Sequence, residues 1–391
     1  MTDPTPIPRR AVLRMFGLAA GTAAVAGAGG LTWRAVDNGV FGTETGPAYT
    51  AWDATGSPGP LGLVRAAVLA ANAHNTQPWR FRVTPNQIDL YADRSRNIGT
   101  IDPLLRELHI SLGCALENLA LAGPPNGLQP DVRLLPDPAN ADHIATITLT
   151  AAPAATSPLF TAITTRHTNR GPYDLGRPVS RQHLDTLAGL VDPAGAELVW
   201  LTSVEQKRAF GDLTIRATEA IIADPQQTAD DHRWYRGDWD EIQRGKDGIT
   251  IDPSGQPALI RTLGKLLPTS RAQNNNGWLR GTRETHVPTA AAFGALVVHD
   301  PDDAATRLRV GRAWQRIHLT ATTLGLAMQP LCQIPERIDR ERSANLSPDF
   351  THAIAPTLPT GTHPIMTFRI GHPTTPAPRS PRRPAVEVVV T

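Results

Sequence analysis

The chain has 391 residues, 40% of them hydrophobic, with 38 basic against 36 acidic side chains and a formal charge of +2. That length holds two ordinary domains or one large one with a full core, and without a basic stripe or an aromatic-basic ladder nucleic acid is excluded as a partner. Cys114 and Cys332 lie far apart without zinc or redox spacing, and the twelve histidines form no HExxH-like pair, so no metal site is expected.

In chain order, PRRAVLRMFGLAAGTAAVAGAGG comes first, with Arg9 and Arg10 ahead of a Gly/Ala-rich apolar run from Met15 to Leu31. It resembles a twin-arginine export signal, whose core is less hydrophobic than that of an ordinary secretory signal. Residues 1–45 are therefore read as signal and linker. The resemblance implies the twin-arginine export machinery as a partner and a place in the cell envelope or outside the cytoplasm. Cleavage after Ala26-Gly27-Ala28 and retention as a membrane anchor are both open, and a leader that does not function would leave the chain cytoplasmic.

Residues Leu61–Ala71 predict a helix, with Leu63, Val64, Ala67 and Leu69 on its apolar face. The polar run AHNTQPW follows, then strands at Trp79–Val83 and Gln87–Ala92. A long helix is expected over Leu104–Ala122, stopped by Gly123-Pro124-Pro125, and strands over Asp131–Leu135 and His143–Leu149 complete a first half at 46–150. After a Pro/Ala/Thr link, a helix begins near Leu159 and a second half runs over 155–391.

The second half repeats the first. GCALENLAL at 113–121 matches GRAWQRIHL at 311–319, pairing Gly113 with Gly311 and Glu117 with Gln315. The segment around Leu63–Val83 matches His183–Leu201 at a shorter offset, so the second half carries an insert within about 205–290, which holds Trp234, Tyr235, Trp239 and Trp278. Two related halves in one chain would bury their shared face as a homodimer does, giving a monomeric pseudo-dimer.

Three later stretches carry chemistry. AITTRHTNRGPYDLGRPVSRQHL (162–184) sets Arg166, His167, Thr168 and Arg170 at a helix end, and paired guanidiniums suit a terminal phosphate. LGLAMQPLCQIPE (324–336) ends a helix in a Pro-Leu turn, and the tail FRIGHPTTPAPRSPRRPAVEVVV (368–390) holds Arg379, Arg382 and Arg383.

Together, NTQPWRF, RHTNRGPYDLGRPVSRQHL, LGLAMQPL and SPRRPAVEVV resemble the motifs of the nitroreductase superfamily, and the fused, lid-bearing arrangement resembles its Acg-type FMN-binding branch. The resemblance implies an α+β, FMN-dependent nitroreductase-like fold of two fused halves with an inserted lid. It implies that Arg166, His167, Thr168 and Arg170 hold the FMN phosphate with help from Arg382. Asn72, Ala73, His74, Asn75 and Gln77 would meet the flavin from the other half, with Pro330, Leu331, Cys332 and Gln333 on its opposite face and edge. The motif order is unusual, with the QPW loop in the first half and the arginine motif in the second, so one mixed site is expected. Two departures stand out: Asn72 and Ala73 replace small hydroxyl residues, and Cys332 replaces an acidic or small residue.

The implied function is an FMN oxidoreductase passing electrons from NAD(P)H to a small nitroaromatic or quinone-like acceptor, with no catalytic side chain because the cofactor performs the chemistry. The alternative is a protein that sequesters FMN under a Trp-rich lid.

Overall fold

The computed structural model describes residues 39–390 except 41, 54–57, 193–194 and 268. The expected twin-arginine leader lies outside the described residues. Helix α1 (Pro60–Ala67) opens with Pro60, whose missing N–H costs nothing in a first turn, and buries Leu63, Val64, Ala66 and Ala67. It stops before the expected Ala71: the amides of Leu69 and Ala70 bond three residues back, to Ala66 and Ala67, which tightens the last turn.

Strands β1 (Trp79–Val83) and β2 (Gln87–Ala92) stand where the alternation predicts and pair antiparallel. Helix α2 (Arg106–Ala122) starts two residues later than expected. Leu105 is left-handed at φ 59°, and the Asp102 carboxylate accepts from the Glu107 and Leu108 amides at 3.0 and 2.9 Å, so this acid sets the helix start. Strands β3 (Leu128–Leu134) and β4 (His143–Ala151) follow and pair antiparallel along their length.

The second half runs α3 (Pro158–Ala162), α4 (Arg181–Ala188) and β5 (Glu197–Leu201). The insert is helical: α5 (Val204–Ala223), α6 (Pro225–His232), α7 (Trp239–Gly245), α8 (Ala258–Leu266) and α9 (Arg271–Gly281). Then come β6 (Ala292–Val298), α10 (Ala304–Thr323), β7 (Ala327–Pro330), α11 (Gln333–Ser343), α12 (Asp349–Ile354) and β8 (His363–Gly371). The tail ends in α13 (Ala385–Val388) and β9 (Val389–Val390).

The sheets share one plan. The first is ordered β3-β4-β2-β1 and the second β7-β8-β6-β5, with β9 added beside β1. Even the irregularity repeats: the register shifts at Leu90/Tyr91 in β2 and at Leu296/Val297 in β6. The insert opens the β5–β6 hairpin, which in the first half is the short turn between β1 and β2. Because β9 pairs parallel to β1, the tail of the second half completes the sheet of the first.

The halves meet where α2 crosses α10. A Cβ on Gly113 would sit 2.2 Å from the Leu308 carbonyl oxygen, and one on Gly311 would sit 2.2 Å from that of Ile110. These approaches are reciprocal, as across a two-fold axis. So are the flanking polar pairs: Gln315 donates to Asn118 at 2.8 Å, while Arg316 pairs with Glu117. One apolar core spans both halves, from Leu63, Phe81 and Leu112 to Trp314 and Phe368. Among the described residues no helix is long and apolar enough to cross a membrane, and no group of three or more His, Cys, Asp or Glu side chains could hold a metal ion.

Candidate functional site

A cavity of about 780 Å³ opens between the halves and the insert. Its walls come from the loop after α1, from α2, from the loop after α3, from the β7–α11 turn, and from the insert. Of the residues singled out in the sequence, Asn72, Ala73, His74, Thr168, Arg170, Pro330, Cys332 and Gln333 line it. The others take different places.

Asn75 and Gln77, expected to meet a ring, form a clasp instead. Asn75 Nδ2 donates to the Gly248 carbonyl of the insert and to Pro381 of the tail at 3.2 and 2.9 Å. Gln77 is fully buried; its Nε2 donates to Lys246 O at 2.8 Å, and its Oε1 accepts from the Arg383 amide at 2.8 Å. The loop is thus divided, Asn72, Ala73 and His74 facing the cavity while Asn75 and Gln77 hold insert and tail to the first half. Left-handed backbone at His74, Asn75 and Gln77, with φ of 48°, 55° and 52°, turns successive side chains in these different directions. The loop is fixed from beneath by Ser111, whose Oγ accepts from the Ala73 amide at 3.0 Å and donates to Glu107 O at 2.7 Å.

Leu331 also departs from expectation: its side chain belongs to a core cluster with Leu201, Phe210 and Phe293. His167 packs edge-on against Trp52 at 4.7 Å between ring centroids. Burial, with the Arg166, Arg382 and Arg379 charges, pushes its pKa down to about 3, so it is neutral. Cys332 presents a buried thiol whose pKa burial pushes up, beside Met366 Sδ at 3.4 Å.

Arg166 and Arg382 stand just behind the cavity wall. Arg166 donates to Leu69 O at 3.2 Å and Arg382 to Ala70 O at 3.3 Å, consecutive carbonyls directly before the lining residue Ala71. Both guanidiniums are buried, and among the described residues both Nε atoms lack a partner and neither has a carboxylate within ion-pair distance. Burial pushes the Arg166 pKa down to about 10, and burial with the Arg166 charge pushes Arg382 down to about 9. A buried cation is costly unless paired, and two side by side more so.

Arg369 is the instructive contrast. It is equally buried, yet it donates to Gln329 Oε1 at 2.6 Å, Thr289 Oγ1 at 3.0 Å and Gly171 O at 2.7 Å, and it covers the Tyr173 ring at 4.0 Å. Its donors are spent on structure; Arg166 and Arg382 each keep an unpartnered Nε, although Asn75 and Pro381 also accept from Arg382.

The insert closes the remaining side. Its Gly255, at φ 76°, lies so close to the Arg170 carbonyl that a Cβ would sit 2.2 Å away, and Arg170 donates to Pro253 O at 3.2 Å. Trp234, one of three tryptophans in the insert, anchors it as part of a local core. It is buried with Ile98, Ile101 and Ile221 and flanked by the Arg96 and Arg236 guanidiniums, each 5.5 Å from the ring centroid. Trp239 packs on the main core, and Trp278 alone of the three lines the cavity.

Sequence reasoning missed the acidic wall. Glu107, Glu336 and Asp231 all line the cavity, and His74 Nε2 lies 2.7 Å from Asp231 Oδ1. Nothing in the chain sets these acids apart from solvated faces of amphipathic helices. The available signal was the Asp102 cap, which places Glu107 in the buried first turn of α2.

No protein-family model matches the chain. It is 29% identical over 332 residues, 84% of its length and 90% of the relative's, to a Mycobacterium tuberculosis (strain H37Rv) protein named provisionally as an NAD(P)H nitroreductase. It is also 29% identical over 113 residues, 28% of its length and 34% of the relative's, to the nitroreductase acg of that organism, likewise provisionally named. Among solved structures, an FMN-bound nitroreductase from Bacteroides fragilis aligns with 56% of this chain and 90% of its own, at 13% identity and a TM-score of 0.35.

Proposed function

We propose that the chain binds FMN in this cavity and acts as an NAD(P)H-dependent oxidoreductase of nitroreductase type, on the Acg-like plan of two fused halves. The carrying observation is the buried pair Arg166 and Arg382, two guanidiniums with free Nε donors and, among the described residues, no carboxylate partner. A phosphate dianion offers the charge and the acceptor oxygens they lack. The name of the 29% identical relative supports the same reading.

The other lining groups fit a flavin. Thr168 and Arg170 extend the phosphate end. Gln333 Oε1 is buried without a partner on the cavity wall, and an acceptor there suits the N–H edge of the ring. Bound flavin supplies the redox chemistry, taking two electrons from NAD(P)H and passing them on. The chain's own work is to hold it, exclude water and admit the acceptor. Ile260, Leu263 and Leu267 at the rim are apolar and partly or largely exposed, which suits a flat apolar acceptor such as a quinone or nitroaromatic.

One observation favours a second reading. The insert supplies more than half of the lining residues, Trp278 among them, and a lid so extensive suits sequestration of FMN. Anaerobic addition of NADPH to the purified yellow protein separates the two. Bleaching within seconds supports turnover; an unchanged spectrum that dithionite still reduces supports storage. Arg166→Ala is expected to lose FMN during purification, and full retention would refute the phosphate assignment.

A further inference from the structure

Glu107 in the first turn of α2 and Glu336 in the first turn of α11 come from opposite halves and meet on the cavity wall. Glu336 is buried and, among the described residues, has no cation within ion-pair distance, while Glu107 and Asp231 line the same cavity; a buried acid so placed favours keeping its proton. The surroundings favour its retention. Arg106 Nη2 lies 3.2 Å from Glu107 Oε1, but its Nε is engaged by Asp339 at 2.6 Å. Asp231 faces the same cavity from α6, with Oδ2 buried and unpartnered and Oδ1 held by His74 at 2.7 Å. Asp102 stands behind Glu107 at the α2 cap, and Cys332 beside the pair is a neutral thiol.

Acids therefore crowd this wall, with Arg106 and His74 as the cations among them. Burial, then the Glu107 charge, pushes the Glu336 pKa well above the usual carboxyl range. It does so although a helix first turn favours the anion.

We propose that Glu336 is the proton donor to an acceptor of the quinone class reduced in this cavity. The proposal rests on the oxidoreductase reading above. The reduced cofactor provides two electrons and one proton as hydride, and the O–H bond of Glu336 breaks as an O–H bond forms on the remaining acceptor oxygen. Quinone, hydride and proton sum to hydroquinone. The carboxylate left behind faces Glu107 and Asp231 and regains its proton from solvent. The exposed apolar rim at Ile260, Leu263 and Leu267 admits such an acceptor.

The test has two arms. Infrared spectra of the purified protein in heavy water near neutral pH should show the carbonyl stretch of a protonated carboxyl group, absent from Glu336→Gln. A parent protein without a band that this variant removes overturns the protonated donor, whatever the flavin does. In FMN-loaded, pre-reduced protein, Glu336→Gln should slow quinone reduction by roughly a hundredfold. Reduction of ferricyanide, which takes an electron and no proton, should keep its rate. Equal loss with both acceptors, or loss with neither, overturns proton donation. Failure to take up FMN, or to be reduced, overturns the oxidoreductase reading and the donor role with it, and the infrared band then judges the protonated Glu336 by itself.

Discussion

Gly113→Ala strikes the crossing on which the two-half arrangement depends. The new Cβ would stand 2.2 Å from the Leu308 carbonyl oxygen and 2.9 Å from the Gly311 Cα, against the 3.4–4 Å of ordinary contact. Both obstacles are backbone, so no rotamer change relieves them and the helices must separate by about an ångström. Overpacking of this kind costs about 1–3 kcal/mol. Separation also stretches the Gln315–Asn118 and Arg312–Glu117 bonds, now 2.8 and 2.9 Å, each worth about 1 kcal/mol. Better helix propensity returns about 1 kcal/mol. The net expectation is a loss of about 2–4 kcal/mol, read as a lower urea midpoint at unchanged slope. Gly311→Ala should cost a similar amount, and the double variant less than the sum, because the first separation makes room for the second. Stability equal to the parent's, or two costs that simply add, would refute the reciprocal contact.

Asn75→Ala should destabilise by about 2–4 kcal/mol, because it removes bonds to Gly248 and Pro381, leaves Arg382 without its Asn75 acceptor, and puts Ala at φ 55°. Asn75→Gly keeps the backbone relaxed and should cost less; a urea midpoint unmoved by either variant would dismiss the clasp. The His74–Asp231 bond should make docking of the insert pH-dependent. Burial opposes the imidazolium, but the Asp231 hydrogen bond and charge outweigh it and hold the His74 pKa above its ordinary 6.5. The stabilisation is therefore complete below that value and fades as pH rises through the folded pKa. Urea midpoints across this range should fall further for the parent than for Asp231→Asn, and parallel profiles would contradict the assignment.

What the linear chain determined is local and periodic. Strands β1 and β2 are written in alternation, α2 in its apolar spacing and its Gly-Pro-Pro stop, and the matched glycines 113 and 311 declare two related halves. Each follows from neighbours a few residues away or from a repeat that can be laid over itself. Which side chains reach the cavity was decided in three dimensions. Asn72 and Asn75 look alike in the chain, yet left-handed backbone at His74 and Asn75 sends the first to the cavity and the second to the clasp. Arg166, Arg369 and Arg382 are one residue type; their partners, up to 312 positions away, leave two with unused donors and one saturated. Glu107 and Glu336 come to line one cavity only because α2 and α11 start on the same wall. Burial and charge neighbourhood belong to the assembled fold, and it is these that set one carboxyl or guanidinium apart from its exposed counterparts.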